Sequence, residues 1–115
     1  MTIDKQDFDL WIGRRAAVEF TVEGGGPAAA IAELRFAMAP VKGETAAVVK
    51  TLSGGGIATE DSGEDDLLVT VTLEGEDSAG LAAGYYHHQL ELTSNGKSAP
   101  ETPVATGTVT VHASS

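Results

Sequence analysis

The sequence contains no cysteine. A disulfide framework, a cysteine-ligated zinc site and a thiol nucleophile are therefore excluded. Basic residues are also scarce: 7 Lys and Arg stand against 17 Asp and Glu, which gives a formal net charge of −10. A chain with this charge repels a phosphate backbone, so we expect no nucleic-acid partner.

Long apolar runs are missing as well. No stretch approaches the roughly 20 apolar residues that a membrane-spanning helix needs, so we expect no membrane partner. Residues 1–7 are polar and acidic, and they lack the apolar segment of a signal peptide, so we expect synthesis in a cytoplasm. The length of 115 residues predicts a single domain that spans residues 1–115.

Motifs that carry catalytic chemistry are not found. The sequence has no Gly-x-Ser-x-Gly and no His-Glu-x-x-His, and its glycine runs at 24–26 and 54–56 lack the lysine and hydroxyl residue of a phosphate-binding loop. We therefore predict that the protein is not an enzyme and that it uses no cofactor.

Two acidic runs and three histidines are the candidate metal ligands. The runs at 61–66 and 74–77 lack the regular aspartate spacing of a calcium loop, so they are interpreted as solvated turns. His87 and His112 approach each other only if the last two strands pair in a suitable register. A transition-metal site needs three or four ligands, so both histidines are predicted to be surface residues.

What the sequence does contain is short alternating runs separated by glycine. Alternation of apolar and polar residues with period 2 is typical of half-buried strands. In the last long run, Tyr86, His88, Leu90 and Leu92 share the predicted inward face. Strands are predicted at residues 8–12, 17–22, 45–52, 57–60, 67–73, 84–93 and 106–113, with a hairpin turn at Asn95-Gly96 before the last.

Residues 28–39 allow two interpretations. A strand places Leu34, Phe36 and Met38 on one face, whereas a helix that begins after Pro27 leaves Phe36 off the apolar face. We favour the strand, which gives seven to eight short strands in all. This pattern predicts an all-β protein with an immunoglobulin-like antiparallel β-sandwich.

One short motif supports that fold. Leu81, Gly84 and Tyr86 form a Leu-x-x-Gly-x-Tyr pattern. In immunoglobulin-like domains this pattern marks a tyrosine corner, in which the hydroxyl bonds to backbone at the start of the penultimate strand. The alternative is that Tyr86 is an ordinary core aromatic residue.

Trp11, the single tryptophan, stands just before Arg14 and Arg15. It either packs in the core or is exposed as an anchor for a partner, since Trp and Arg are frequent in interface hot spots. Our predicted contact residues are Trp11, Arg14 and Arg15.

The chain as a whole resembles small immunoglobulin-like structural proteins of tailed bacteriophages. The resemblance rests on an aromatic strand with a basic turn at residues 10–15, on the strand at 18–22, and on Gly55-Gly56-Ile57. It also includes the tyrosine-corner strand at 81–92 and the closing strand at 107–111. Head-associated or decoration proteins and the N-terminal domains of baseplate upper proteins are similar in this respect.

The resemblance implies a non-enzymatic role in a virion. The expected partners are other virion proteins, either the major capsid protein or tail proteins, with many copies in the assembly. The short chain favours a decoration or stabilising module of the head. The alternatives are a tail or baseplate adaptor, and a module that binds a host glycan or protein through Trp11, Tyr85 or His87.

Overall fold

Most of the described chain is β-strand. The computed structural model describes residues 4–22, 31–40, 45–62, 66–94 and 103–113. It places a strand over Ile31–Ala39, which resolves the helix alternative for that segment. The elements in chain order are β1 Asp4–Lys5, β2 Phe8–Trp11, β3 Ala16–Val22, β4 Ile31–Ala39, β5 Val48–Thr51, β6 Ile57–Ser62, β7 Asp66–Leu73, α1 Gly75–Ser78, β8 Gly84–Ser94 and β9 Pro103–His112.

The strands form two sheets that pack as a sandwich. The large sheet has the order β1-β9-β8-β4-β5, with β2 also paired to β9, and the small sheet has the order β3-β7-β6. The first two strands run parallel to β9, and all other pairs are antiparallel. This is the immunoglobulin-like arrangement, with a B-E-D sheet facing a G-F-C-C′ sheet, so the predicted fold class is confirmed.

Alternation along the strands builds the core between the sheets. On β7, Leu67, Val69, Val71 and Leu73 are fully buried while the residues between them are partly exposed. Burial of a side chain of this size contributes about 2 kcal/mol. The same alternation on β8 buries Tyr86, His88, Leu90 and Leu92, as predicted.

Several predicted boundaries were wrong. The strand predicted at 45–52 is regular only over Val48–Thr51, and the strand predicted at 106–113 spans Pro103–His112. The acidic run at 61–66 is partly strand, because Ser62 pairs with Asp66 across the β6–β7 hairpin. Backbone pairing needs no apolar side chain, so the hairpin extends into the charged run. The glycine run at 24–26 and the predicted hairpin turn at Asn95-Gly96 lie outside the described residues.

A buried histidine stands where many immunoglobulin domains have a cysteine. His88 follows the corner tyrosine by two residues, which is the position of the second cysteine of the inter-sheet disulfide. It is 3% exposed, and its ring centroid lies 5.5 Å from that of Phe20 on the small sheet and 5.7 Å from that of Phe36 on β4. Packing of aromatic rings thus joins the sheets where a disulfide does so in relatives of this fold.

His88 also fixes the first strand. Its Nε2 bonds to the carbonyl oxygen of Gln6, and because a carbonyl only accepts, Nε2 carries the proton. The Gln6 carbonyl is thereby withdrawn from β9, and the Asp7 carboxylate accepts the N–H of Thr108 in its place, at 2.8 Å. A Cβ at Gly107 would lie 2.7 Å from Nε2, so this close approach requires glycine.

The interruption of pairing at residues 6 and 7 does not shift the register of the first strand on β9. Asp4 pairs with Ala105 and Phe8 with Val109, an offset of 101 residues on both sides of the interruption. Strands β1 and β2 are therefore one strand interrupted at residues 6 and 7.

The hydroxyl of Tyr86 donates to the carbonyl oxygen of Ala82 at 2.8 Å. This is the local hydrogen bond expected of a tyrosine corner. Gly84 begins β8, and Leu81 packs against the core from the loop between α1 and β8. The three motif residues therefore shape the entry into β8 and do not form a ligand site.

Replacement of Tyr86 by phenylalanine keeps the ring and removes this hydrogen bond. We expect a loss of about 1 kcal/mol in the free energy of unfolding, measured by chemical denaturation. Tyr85→Phe is the matched control, because Tyr85 is 75% exposed on the opposite face of β8. Removal of its hydroxyl should cost less than about 0.5 kcal/mol. Equal effects of the two substitutions would contradict the assigned role of the Tyr86 hydroxyl.

The carboxylate of Glu33 holds the turn that follows β5. It accepts the backbone N–H of Ser53 at 3.0 Å, the N–H of Leu34 at 3.1 Å and the hydroxyl of Ser53. Donation from the Ser53 hydroxyl, followed by donation from the Ser53 N–H, lowers the pKa of Glu33 below its ordinary value of 4.5. The charged form is therefore favoured in the folded state.

Because the folded pKa is lowered, the contribution of Glu33 is present above about pH 4.5 and is lost as the pH falls through the folded value. Glu33→Gln should lower the free energy of unfolding by on the order of 1 kcal/mol at pH 7. The difference from the unmodified protein should shrink below pH 4. Denaturant titrations from pH 7 to pH 3 measure it, and a pH-independent difference would refute the explanation. Glu60→Gln on β6 is the control.

Candidate functional site

Large apolar side chains are exposed on one side of the molecule. In the described part of the chain they are Tyr85 at 75%, Trp11 at 45% and Val49 at 44%. Their inward neighbours Tyr86, Leu10 and Val48 are buried, so by strand alternation all three point away from the core on the large sheet. We call this surface the outer face of the large sheet.

Trp11 is not a core residue. Strand β2 turns Leu10 inward with 1% exposure, and the next side chain therefore points out. The indole stacks on the imidazole of His112, its register partner on β9, with centroids 4.7 Å apart and planes at 21°. Nε2 of His112 lies 2.9 Å from Oδ1 of Asp9, so the stacked pair is held at the sheet margin.

The turn after Trp11 is fixed from both sides. Gly13 adopts φ +82°, which is accessible to glycine at little cost, and the N–H of Arg14 donates to the Trp11 carbonyl at 3.1 Å. The N–H of Gly13 donates to Oγ of Ser78 in α1 at 2.8 Å. Ser78 is fully buried, so the helical turn supports the β2–β3 turn from beneath.

Helix α1 is itself tied to neighbouring elements. A capping box between Glu74 and Asp77 closes its first turn. Nζ of Lys50 on β5 lies 2.7 Å from Oδ2 of Asp77, and Nε of Arg15 lies 3.2 Å from Oε1 of Glu74. These contacts hold α1 against the end of the sandwich at which β2 terminates.

The predicted contact residues therefore lie together. Trp11, Arg14 and Arg15 are exposed on one short turn, which we call the docking turn. Arg15 pairs with Glu74, whereas Arg14 makes no ion pair within the described ranges. An indole next to a guanidinium on a rigid turn is the composition of an interface anchor.

Two supports of the docking turn were missed by sequence reasoning. The pairing of Trp11 with His112 depends on a parallel register that alternation does not reveal. Ser78 is 65 residues from Gly13, and no local pattern marks it.

His87 and His112, the two histidines considered as metal ligands, do not face each other across the last two strands. His87 pairs with Thr108, so His112 lies four residues farther along β9. No group of three or more metal-ligating side chains occurs among the described residues. No helix in that part of the chain is long and apolar enough to cross a membrane.

A shallow trough of about 810 Å³ lies on the outer face of the large sheet. Its central row, fixed by the strand register, runs from Ala37 through Gln89 to Thr106. At one end Nη1 of Arg35 lies 3.3 Å from Oε1 of Glu91. Small and polar side chains therefore line most of this surface.

No protein-family model and no curated protein matches this chain.

Removal of the Ser78 hydroxyl should loosen the docking turn. Ser78→Ala leaves the Gly13 N–H without its acceptor, and we expect a loss of about 1–3 kcal/mol in the free energy of unfolding. Amide hydrogen exchange at Gly13 should accelerate while exchange at Gly55, in the β5–β6 turn, stays unchanged. Unchanged exchange at Gly13 would show that α1 does not support the turn.

Proposed function

We propose that the protein is a non-enzymatic structural module of a tailed-phage virion that docks on a repeating protein lattice through the docking turn. The observation that carries the proposal is the exposure of Trp11 beside Arg14 on a turn held by Ser78. A preorganised anchor loses little conformational entropy on binding, so few contacts suffice for affinity.

The charge distribution supports docking by this end. The chain carries a net charge of −10, yet the docking turn presents two guanidinium groups. A partner site with carboxylates for Arg14 and an apolar cleft for Trp11 fits this turn. Basic groups elsewhere on the partner would be attracted to the acidic surface of this chain outside the docking turn. This attraction would orient the module as it approaches.

The assignment to a virion rests on the sequence resemblance to small immunoglobulin-like phage proteins, and the β-sandwich fold is compatible with it. A head-associated decoration or stabilising role is the first choice, and a tail or baseplate adaptor is the alternative. A module that binds a host glycan or protein is a further candidate, because Tyr85 and His87 are exposed on neighbouring outward positions of β8.

Trp11→Ala and Arg14→Glu should reduce the copy number on the particle. We expect at least a tenfold drop for each, which corresponds to about 1.4 kcal/mol of docking free energy. The measurement is quantitative mass spectrometry of purified virions after sedimentation. Because Trp11 points outward and stacks on His112, Trp11→Ala should cost only about 1 kcal/mol in unfolding free energy.

Leu68→Ala is the matched control, since Leu68 is a partly exposed apolar residue pointing outward on the small sheet. Its copy number on the particle should equal that of the unmodified protein. A protein that occurs only in infected-cell lysate and never on virions would overturn the virion proposal. Full occupancy by Trp11→Ala would overturn the role of the docking turn.

A further inference from the structure

The outer face of the large sheet differs from the outer face of the small sheet in how its carboxylates are held. Asp9 contacts His112, Glu91 contacts Arg35, and Glu33 accepts hydrogen bonds from Ser53. A carboxylate that already has a partner within the chain loses less hydration when the surface around it is covered.

The opposite side of the sandwich lacks this feature. Glu19 on β3 and Glu60 on β6 point outward from the small sheet and are exposed. Neither makes an ion pair within the described ranges. Two copies that met through the small sheet would therefore bring unpaired carboxylates together, which the large sheet avoids.

The outer face of the large sheet also carries a protrusion and a recess side by side. Tyr85 projects with 75% exposure. Four residues farther along β8, Gln89 lies in the trough, with Ala37 on one neighbouring strand and Thr106 on the other. The volume of about 810 Å³ is ample for a phenol ring.

A protrusion and a recess on one face are self-complementary under a twofold rotation. We propose that this face is the interface of a symmetric dimer of the chain, with the twofold axis crossing the strands level with His87. Residues 85 and 89 are equidistant from residue 87, so Tyr85 enters the trough of the second copy beside the partner's Gln89. The partner's Tyr85 does the same in return.

The dimension of the face sets the strength of the contact. The strand register places β4 and β5 at or beyond the level of His87. Only the first strand, β9 and β8 therefore meet their counterparts in the second copy, each over about seven residues, and they bury roughly 700 Å² in total. An area of this size is typical of a weak, transient interface, and a dissociation constant on the order of 100 μM or above is expected.

This inference goes beyond the docking function and does not depend on it. Trp11 lies at the last register row of the sheet, opposite His112, outside the contact between Tyr85 and the trough. The twofold axis would place the two docking turns at opposite ends of the dimer, where each remains accessible. Dimerisation is measured on the isolated protein, whereas docking is measured on virions, so either can fail alone.

Sedimentation equilibrium of the full chain over 5 μM to 1 mM is the first test, over a range chosen to bracket the expected constant. The unmodified protein should shift from monomer to dimer. Tyr85→Asp should weaken association at least tenfold, while Thr21→Asp should leave it unchanged. Both add one negative charge at an exposed outward strand position, but Thr21 lies on the small sheet. The proposal would be overturned if the unmodified protein formed no dimer over this range, or if both substitutions weakened association equally.

Cross-linking tests the position of the axis. The chain has no cysteine, so His87→Cys supplies a unique thiol that a short bismaleimide should join to the same residue of the second copy. Thr21→Cys should remain uncross-linked at the same concentration, and circular dichroism should show both variants folded. Equal cross-linking of the two variants would place the contact elsewhere and overturn the proposed interface.

Discussion

The buried imidazole of His88 is the constraint on which the arrangement of both sheets depends. It occupies the position of an inter-sheet cysteine, packs against phenylalanine rings from both sheets, and holds the Gln6 carbonyl of the first strand. One side chain thus combines the packing role of the missing disulfide with a polar contact. Glycine at 107 is required because a Cβ there would clash with the carbonyl group of Gln6 and with Nε2 of His88.

The attachment of the first strand to β9 has a direct consequence for the surface. Because β2 runs parallel to β9 and turns Leu10 inward, Trp11 emerges at the margin of the large sheet and stacks on His112. The chain must then cross to the small sheet, and the Gly13 turn that makes this crossing is supported by Ser78 of α1. The exposed aromatic ring and the rigid basic turn both follow from the path of the first strand.

Particular segments show what the sequence could predict. The alternation of Leu67, Val69, Val71 and Leu73 predicted both the strand and its inward face, because period-2 burial is a local property of a half-buried strand. The Leu-x-x-Gly-x-Tyr pattern led to Tyr86, whose hydroxyl bonds to a carbonyl only four residues away. The end of the β6 strand was misjudged, because hairpin pairing extended it into charged residues.

The sequence by itself determined that the chain is all-β, which residues of most strands face the core, and that the protein is strongly acidic. These properties depend on side-chain type and on spacing along the chain. Only the tertiary structure decided that Trp11 is exposed, that His88 is enclosed by aromatic rings, and that Ser78 supports Gly13. These contacts join residues 52 to 101 positions apart, and their geometry is set by sheet order and register, which no local pattern encodes.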